Sequence, residues 1–310
     1  MRYTLRQLEY FVAAGEAGSI RQASDRLSIS QPSISTAIAH LETELSVQLF
    51  VRHHAQGLSL TDVGQILLAE AKKILSRAND LHTLAAEATG QVRGRLTVGA
   101  MITLAPMIMP ELAHSFTQSF PSADIYQVAA NHEWLGGELS AAQLDLAITY
   151  DLALPPGITF LPLASLPPHA LVAQSHPLAG EGEVALEDLA SEPLILLDLP
   201  LSRHYFNDLF ERVGVRPTVY ARAAEQAVVR TMVANGYGYT LANVRPRSDI
   251  ALDGKRLVRL RLKGKHRPMV IGMAMRQGER QSRLLEHFIL HCRASISDQS
   301  IPGMCPLDEE

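Results

Sequence analysis

Hydrophobic residues near the start of the chain recur at the spacing of an α-helix. Ile34, Ile38 and Leu41 are separated by four and three residues, so they share one face of a helix that we predict over residues 31–45. The opposite face is predicted to be exposed, and it carries short polar side chains together with Ala37. Short polar side chains near a helix N-terminus suit insertion into the major groove of DNA.

Further elements around this helix complete a small fold. Helices are predicted over residues 4–17 and 20–27, and the tight turn 28–30 leads into the third helix. In residues 49–60, apolar residues flank a polar tip that contains a glycine, which is typical of a small β-hairpin, or wing. Three helices and a wing predict a winged helix-turn-helix over residues 1–60.

A long helix rich in alanine and leucine is predicted over residues 61–89. Its apolar residues alternate at spacings of four and three, which is the pattern of a coiled-coil seam. The residues of this seam are Leu67, Ala71, Ile74, Ala78, Leu81, Ala85 and Ala88. We interpret the helix as a linker that forms a homodimer, because it joins two domains and has little of its own chain to lie against. The alternative is a helix that packs on its own domain.

From residue 91 onward the pattern changes to short strands that alternate with helices. This alternation predicts a parallel sheet with helices on both faces, arranged as two α/β subdomains. We place subdomain I at residues 91–163 and 267–298 and subdomain II at residues 164–266, with a ligand cleft between them at the switch points. Residues 299–310 are predicted to be a frayed tail. The predicted fold class is therefore multidomain, α and α/β.

Local features of this region carry specific expectations. Gly136 and Gly137 are predicted to form a turn that leads into a helix around residues 138–143, and Pro162 is predicted to mark a crossing between the subdomains. The basic residues of 256–267 indicate either a second nucleic-acid surface or a strand with one solvated face. We favour the strand, whose charges would protect a sheet edge against mispairing.

Composition excludes several classes of protein. The chain has 310 residues, of which 47% are hydrophobic, enough for two or three globular domains with sizeable cores. No apolar run is long enough to span a membrane, and the first residues lack the apolar core of a signal peptide, so we expect a cytoplasmic protein. Cys292 and Cys305 lie near the C-terminus, which favours inert thiols over a redox pair.

The charges are distributed unevenly along the chain. Residues 1–90 contain 8 Lys and Arg against 9 Asp and Glu, so the winged helix-turn-helix and its linker are not net basic. Residues 96–202 contain no Lys or Arg and 12 acids, whereas residues 203–310 contain 18 bases and 11 acids. Because neutralisation of phosphates drives much of DNA binding, we expect each winged helix-turn-helix to bind DNA with modest affinity. An oligomer that binds two half-sites would compensate for this.

The N-terminal pattern is similar to that of the LysR-type transcriptional regulators. The matching segments are LRQLEYF at 5–11, GSI at 18–20, SQPSIS at 30–35, LE at 41–42 and LF at 49–50, with looser matches in LTVG at 96–99, LDLAI at 144–148 and VANGYG at 233–238. The resemblance covers nearly the whole chain. It implies a bacterial regulator that binds DNA as a dimer of dimers, a homotetramer, and a periplasmic-binding-protein-like effector domain of two Rossmann-like subdomains over residues 91–298.

The resemblance and the polar helix face together predict the DNA-contacting residues. They are Gln31, Pro32, Ser33, Ser35, Thr36 and Arg52. The polar helix residues could instead only cap and solvate the first turn, Pro32 could only shape the helix start, and Arg52 could be a solvated wing residue rather than a phosphate contact. Thr36 stands where the family often has arginine, so few groups here suit bidentate contacts to guanine, and we expect sequence reading to depend partly on DNA shape.

Five residues of the α/β region are predicted to bind the effector. They are Thr103, Asn131, Tyr150, Ser202 and Arg203. Thr103 and Ser202 lie at the starts of predicted helices, where a hydroxyl beside free amides can hold an anion, although Thr103 could also be a plain N-cap. Because residues 96–202 lack bases, an anion would have to depend on Thr103, helix amides and Arg203. We predict a small organic acid or a neutral or aromatic compound, with no cofactor and no metal.

Other functions are compatible with parts of this pattern. An enzyme is disfavoured because the α/β region contains no glycine-rich phosphate loop, nucleophile elbow or metal triad. A transport-type solute-binding protein is disfavoured by the helix-turn-helix, and an architectural DNA protein by the large domain with a cleft. We therefore predict a non-enzymatic, ligand-responsive transcription factor whose partners are double-stranded promoter DNA, a small molecule and further copies of itself, without a membrane.

Overall fold

The computed structural model describes residues 3–53, 57–88, 92–278 and 281–306. Helices and a small hairpin form its N-terminal unit, and a long helix connects this unit to a region of α/β structure. Among the described residues, no helix is both long enough and apolar enough to cross a membrane.

Three helices and a hairpin form the N-terminal unit, as the hydrophobic spacing predicts. The helices are α1 (Leu5–Ala17), α2 (Ile20–Leu27) and α3 (Gln31–Leu45), and the antiparallel strands are β1 (Phe50–His53) and β2 (Gly57–Leu60). Thr4 and Gln7 form a capping box at the start of α1. Ser30 caps α3, because its hydroxyl accepts a hydrogen bond from the amide of Ser33. The tip of the hairpin lies outside the described residues.

The hydrophobic face of α3 is wider than predicted. Ile34, Ile38 and Leu41 are buried, as expected, but Ala37 is buried as well. The prediction that Ala37 lies on the exposed face is wrong, because it lies three positions after Ile34 and four before Leu41, which is the spacing of a single helix face. The face that remains open to a partner is therefore polar.

Helix α4 (Asp62–Ala88) packs along its first turns against the N-terminal unit. Ala71 is 3% exposed, and Leu67 packs against the same core as Leu8 and Phe11 of α1. The prediction of an uninterrupted dimer seam is therefore wrong at this end of the helix. The N-terminal core covers Ala71 and packs against Leu67, which stays partly exposed, and the spacing within α4 alone does not reveal these contacts.

The rest of α4 keeps an exposed apolar stripe. Ile66 and Leu81 are each 66% exposed, and Ile74 is 42% exposed. At 3.6 residues per turn these three residues fall within about 80° of the helix circumference. Of the remaining seam residues, Ala85 and Ala88 have side chains outside the described part of the chain. The stripe lies beside the face that packs on the N-terminal unit and is open to a second chain.

The α/β region contains a five-stranded mixed sheet. Its strands are β3 (Gly94–Met101), β4 (Ala123–Ala130), β5 (Leu146–Tyr150), β6 (Ile158–Leu166) and β13 (Met269–Arg276), and the helices α5 (Ala105–Ser119), α6 (His132–Ser140) and α10 (Arg283–Ser295) accompany it. The strand order is β4-β3-β5-β13-β6. Strand β3 is parallel to β4 and β5, whereas β13 is antiparallel to β5 and β6. A parallel arrangement is therefore confirmed only in one half of this sheet.

A second part of the α/β region contains a four-stranded sheet and a parallel pair of strands. The strands are β7 (His169–Ala173), β8 (Glu183–Val184), β9 (Pro193–Leu197), β10 (Thr218–Ala223), β11 (Thr240–Ala242) and β12 (Leu257–Leu262), and the helices are α7 (Leu186–Leu189), α8 (Pro200–Arg212) and α9 (Gln226–Ala234). The sheet order is β11-β7-β12-β8, and β9 pairs with β10. The chain passes between the two sheets after β6 and again after β12, so two short crossings run side by side.

Two predictions about breaks in the secondary structure are wrong. Gly136 and Gly137 lie inside α6 rather than in a turn, and a side chain at Gly136 would place its Cβ 2.9 Å from the ring of Pro155. Pro162 lies inside β6, a strand that the hydrophobic pattern did not predict. Strand β6 is at the edge of its sheet, where a residue without an N–H group is tolerated.

The basic strand β12 is not a sheet edge. It pairs with β7 on one side and with the short β8 on the other, so the prediction that its charges guard an edge is wrong. The side chain of Arg259 is only 9% exposed and pairs with Asp249. Arg261, by contrast, is exposed. The arginines of this strand therefore divide between an internal ion pair and the solvated surface.

Residues 299–306 pack against the α/β region instead of fraying. Ile301 is 8% exposed and Met304 is 3% exposed, and the amide of Cys305 donates a hydrogen bond to the carbonyl of Arg245 at 2.9 Å. The burial of these apolar side chains offsets the chain entropy lost on ordering the segment. The prediction of a frayed tail is wrong for this segment, and the remainder of the tail lies outside the described residues.

Candidate functional site

The first candidate site is the N-terminal half of α3. Gln31, Pro32, Ser33 and Thr36 are exposed, whereas Ser35 is partly buried. The predicted polar surface is therefore present, with Ser35 at its margin. Exposed hydroxyl and amide groups in such a position can exchange hydrogen bonds with base edges or phosphates.

A carboxylate fixes the hairpin against α3. Glu42 Oε1 accepts hydrogen bonds from the amide of Leu49 at 2.8 Å and from the amide of Phe50 at 3.3 Å. These bonds set the direction in which β1 leaves the helix. Arg52 lies in β1 opposite Leu58. The side chain of Arg52 lies outside the described residues, so its phosphate contact stays a prediction.

Ion pairs connect the N-terminal unit to the linker and to the α/β region. Glu16 of α1 pairs with Arg26 at 2.7 Å and with Lys72 of α4 at 2.9 Å. Burial alone would raise the pKa of Glu16, but the hydrogen bonds and charges of Lys72 and Arg26 together lower it below its usual value. Lys72 also lies 3.8 Å from Glu138 of α6. One cation of α4 therefore contacts both α1 and α6.

The second candidate site is a cavity between the two sheets. Its cavity volume is about 30 Å³ in this closed conformation, and the total space between atoms, including open solvent, is about 440 Å³. About half of its lining residues are aliphatic, and Phe206 adds an aromatic ring. The polar residues of the lining include Thr103, Tyr150, Ser202, Gln226, Arg230 and Asn243. An apolar cavity with a few convergent polar groups is the usual form of a small-molecule site.

The cavity brings together three of the five predicted effector residues. Thr103 follows β3, Tyr150 ends β5, and Ser202 lies in α8. The hydroxyl oxygens of Thr103 and Tyr150 are 3.1 Å apart, so one hydroxyl donates to the other. Burial raises the pKa of Tyr150 above its ordinary value, which keeps the phenol neutral and able to donate a hydrogen bond at physiological pH.

The two other predicted effector residues do not line this cavity. Asn131 caps α6, because its Oδ1 accepts a hydrogen bond from the amide of Trp134 at 2.9 Å. Arg203 lies 2.5 Å from Asp198 Oδ1, so its charge is paired within the protein. The prediction that Asn131 and Arg203 bind the effector is therefore not supported by this cavity. Arg203 follows Ser202 directly, and adjacent residues of a helix point about 100° apart.

The expected helix starts are also displaced. Leu104 is the N-cap of α5 and Leu199 is the N-cap of α8, and neither supplies a capping side chain. Thr103 is therefore not an N-cap, and Ser202 is the third residue of its helix rather than its head. Both hydroxyls reach the cavity from positions beside the helix starts, where unpaired amides also lie.

Arg230 is the cavity residue that sequence reasoning missed. Its side chain belongs to α9, is 9% exposed, and donates a hydrogen bond from Nη2 to the carbonyl of Ser248 at 2.9 Å. Burial lowers its pKa, while the carboxylate of Asp249 acts in the opposite direction. The sequence signal was a cation directly after the apolar run from Ala227 to Val229. Arg230 therefore supplies the base that residues 96–202 lack.

A wider pocket adjoins the cavity. It has about 800 Å³ of space that includes open solvent, and it shares Thr103, Gln226 and Arg230 with the inner cavity. Pro106 of α5 and Glu225, the residue before α9, lie on its two sides. The residues that the two pockets share are all polar.

Cysteine and metal chemistry find little support in the described residues. Cys292 is buried in α10, and burial raises the pKa of its thiol to about 12, so it is protonated at neutral pH. Cys305 is partly buried, and its sulfur lies 3.8 Å from Nη2 of Arg259. Across residues 3–53, 57–88, 92–278 and 281–306, no group of three or more His, Cys, Asp or Glu side chains could hold a metal ion.

Both halves of the chain match models of known protein families. Residues 5–65 match the bacterial regulatory helix-turn-helix protein of the lysR family, and residues 89–297 match the LysR substrate binding domain. The first match covers the N-terminal unit and the start of α4, and the second covers the two sheets and the cavity between them.

Several known proteins are similar to this chain over both halves together. The DNA-binding transcriptional dual regulator OxyR of Escherichia coli is 31% identical over 242 residues, which are 76% of this chain and 78% of the relative. The regulator cbl of Escherichia coli is 27% identical over 93% of this chain and 92% of its own length. The structure of HinK, a LysR family transcriptional regulator from Pseudomonas aeruginosa, covers 95% of this chain and 99% of its own, with a TM-score of 0.65 and 34% identity. Because one family accounts for both halves and for the proteins that span them, the chain belongs to the LysR family of bacterial transcriptional regulators.

Proposed function

We propose that this regulator binds promoter DNA as an oligomer and responds to a small molecule held between its two sheets. The observation that carries the proposal is that residues of both parts of the α/β region line one cavity. Thr103 and Tyr150 come from the part with the five-stranded sheet, and Ser202 and Arg230 come from the part with α8 and α9. A molecule in that cavity touches both parts at once. Its binding therefore favours one arrangement of the two over others.

The exposed half of α3 is the proposed reader of DNA. Gln31, Ser33 and Thr36 contact base edges or phosphates, Pro32 sets the start of the helix, and Arg52 of the wing reaches a phosphate. The support for this assignment is the exposure of the first four residues on a helix whose other face is fully used in packing. Because the target is DNA, the protein acts in the cytoplasm of its bacterial cell.

The proposed effector is a small organic acid, with an aromatic compound as the wider class. Among the described residues Arg230 forms no ion pair, and its one side-chain hydrogen bond goes to a backbone carbonyl. Asp249, whose charge acts on Arg230, is already paired with Arg259. A carboxylate of the effector would complete the pairing of Arg230, while the aliphatic lining and Phe206 suit an apolar body.

The linker helix supplies the proposed dimer contact. Ile66, Ile74 and Leu81 form the exposed stripe of α4, and burial of this stripe against a second copy removes three apolar side chains from water. Two such dimers on neighbouring half-sites would make the homotetramer. Lys72, which contacts Glu16 and Glu138, offers a direct route by which a change in the α/β region reaches the linker.

Footprinting on the DNA upstream of the regulator's own gene tests the proposed function. We expect a protected segment with two half-sites on the same face of the double helix, and a change in the protected length when the effector is present. Protection that is independent of sequence would contradict the assignment as a promoter-specific regulator. Turnover of candidate ligands by the purified protein would support an enzyme instead.

A further inference from the structure

Asn243 lies where the chain passes between the two sheets. It directly follows β11 and is 4% exposed. Its Nδ2 donates a hydrogen bond to the carbonyl oxygen of Leu166, the last residue of β6, at 2.8 Å. Since the first crossing begins after Leu166, the Asn243 side chain is anchored at the start of that crossing.

The same amide group is also connected to the second crossing. Asn243 Nδ2 lies 3.2 Å from the hydroxyl oxygen of Tyr205, and the Tyr205 hydroxyl donates to the carbonyl of Arg267 at 2.6 Å. Arg267 belongs to the segment between β12 and β13, which is the second crossing. Burial raises the pKa of Tyr205 to about 12, so this hydroxyl keeps its proton at physiological pH. One side chain therefore holds both connections between the sheets.

These bonds use both hydrogens of the Asn243 side-chain amide, but they leave its oxygen without a donor. Asn243 Oδ1 is inaccessible to water and has no hydrogen-bond partner among the described residues. The reverse orientation of the amide would set its oxygen against the carbonyl oxygen of Leu166, so the observed orientation is the one that the network requires. An acceptor that is buried without a donor is unfavourable, and a bound molecule with an N–H or O–H group would relieve this cost.

Asn243 and Arg230 both line this cavity, and because Asn243 Oδ1 is closed off in this conformation, a ligand would reach it when the cavity opens. We infer that Asn243 is an effector-binding residue that accepts a hydrogen bond from the effector, and that the effector is a hydroxy acid whose carboxylate pairs with Arg230. This inference rests on the proposed function of the cavity as the effector site. Through Leu166 and Arg267 the bound hydroxyl is tied to both crossings, so occupancy of the site stiffens the connection between the sheets.

Calorimetric titration of the full-length protein with matched acids tests the inference. The probes are propionate and phenylacetate, their hydroxylated counterparts lactate and mandelate, and the amino counterparts alanine and phenylglycine, all at up to millimolar concentration. We expect the hydroxy acid of at least one pair to bind about 10-fold or more tighter than its parent acid, because only it satisfies the buried acceptor. Preference for the amino acid would overturn the hydroxy-acid assignment.

Variants locate this preference within the cavity. Asn243→Leu should bind lactate or mandelate no better than the parent acid, whereas Asn235→Leu, at the exposed end of α9, should keep the wild-type preference. Equal binding of the parent and hydroxylated acids by the wild-type protein, the absence of binding by every probe, or a preference that survives Asn243→Leu would each overturn the inference. The wild-type comparison remains decisive if Asn243→Leu does not fold.

Hydrogen exchange and footprinting complete the test. Binding of the preferred acid should slow amide exchange in residues 166–169 and 263–268 of the wild-type protein, and unchanged exchange there would contradict the link to the crossings. Footprinting of the same samples separates the two levels of the proposal. A specific footprint without acid binding would refute only the inference about Asn243, whereas loss of all sequence-specific protection would refute the proposed function itself.

Discussion

The hydroxyl oxygens of Thr103 and Tyr150 lie 3.1 Å apart, although the two residues are 47 positions apart in the chain. They meet because β3 and β5 are parallel neighbours, and the carboxyl ends of parallel neighbours lie at the same edge of a sheet. This edge faces the second part of the α/β region across the cavity. The pair therefore forms one polar wall of the proposed effector site.

Removing one member of this pair should cost stability. We expect Tyr150→Phe and Thr103→Val each to lower the free energy of unfolding by about 1 kcal/mol, because each leaves the other hydroxyl without its buried partner. The double variant should lose less than the sum of the two, since the shared bond can be lost only once. Urea unfolding of the full-length protein measures these differences.

Tyr126→Phe is the matched control for this series, because Tyr126 is 51% exposed. Its stability should stay within about 0.5 kcal/mol of the wild type. Strict additivity of Tyr150→Phe and Thr103→Val would show that the two hydroxyls do not act as a pair.

Two threonines of α3 distinguish DNA contact from general helix effects. Thr36→Ala should weaken binding to the specific site about fivefold or more, because it removes a hydroxyl from the exposed reading face. Thr43→Ala changes the same residue type two turns later, where the hydroxyl donates to the carbonyl of Ala39 at 2.8 Å. Its affinity for DNA should remain that of the wild type. Fluorescence anisotropy on a footprinted site measures both, and equal losses would argue against reading by the start of α3.

A charged substitution tests whether the exposed stripe of α4 is the dimer contact. Leu81→Asp should dissociate the dimer at micromolar protein concentration, because a carboxylate cannot be buried at an apolar helix contact without a large desolvation cost. Leu252→Asp is the control, since Leu252 is 86% exposed and lies outside α4. Light scattering coupled to size-exclusion chromatography gives the mass of each variant. A Leu81→Asp protein that keeps the wild-type mass would exclude this helix face as the dimer contact.

His169 gives a prediction for acid stability. Burial, followed by the nearby charges of Arg245 and Arg259, lowers the pKa of His169 well below its ordinary value of 6.5. The unfolded state therefore binds a proton that the folded state rejects, so this contribution to stability is fully present above pH 6.5 and is lost as the pH falls toward the lower pKa. Stability should decrease as the pH falls from about 7 to about 5.

Replacing this histidine should reduce that dependence on pH. His169→Leu cannot take up a proton, so its free energy of unfolding should fall less steeply with acidification than that of the wild type. His204→Leu, at an exposed position, controls for the loss of a histidine in general. Urea midpoints measured across this pH range decide the matter, and an unchanged slope in His169→Leu would assign the acid sensitivity to other groups.

Local sequence signals were sufficient to predict the N-terminal unit. The capping box of Thr4 and Gln7, the N-cap Ser30 and the buried face of α3 act over a few residues, and the structure confirms all of them. Ala37 was misplaced because a small residue on the margin of a helix face carries little hydrophobic signal. Pro162 was read as a break, since the sequence does not show that its strand lies at a sheet edge.

The candidate effector site was only partly predictable. Thr103 follows β3 and Tyr150 ends the neighbouring β5, so their convergence could be inferred from the order of strands and helices. Arg203 does not line the cavity, and its charge is paired with Asp198, five residues earlier, a contact that the predicted helix start did not reveal. Arg230 was missed because its access to the cavity depends on how α9 packs beneath β7 and β9, a long-range arrangement that no local pattern records.

The central claim is that one cavity controls DNA binding through a small anion paired with Arg230. Footprinting of wild-type protein, Arg230→Gln and the exposed control Arg222→Gln on the same upstream DNA, with and without a pool of small organic acids, tests this claim most directly. We predict that the acids change the protected length for the wild type and for Arg222→Gln, and that Arg230→Gln binds the DNA but no longer responds. An unaltered response in Arg230→Gln would contradict the account.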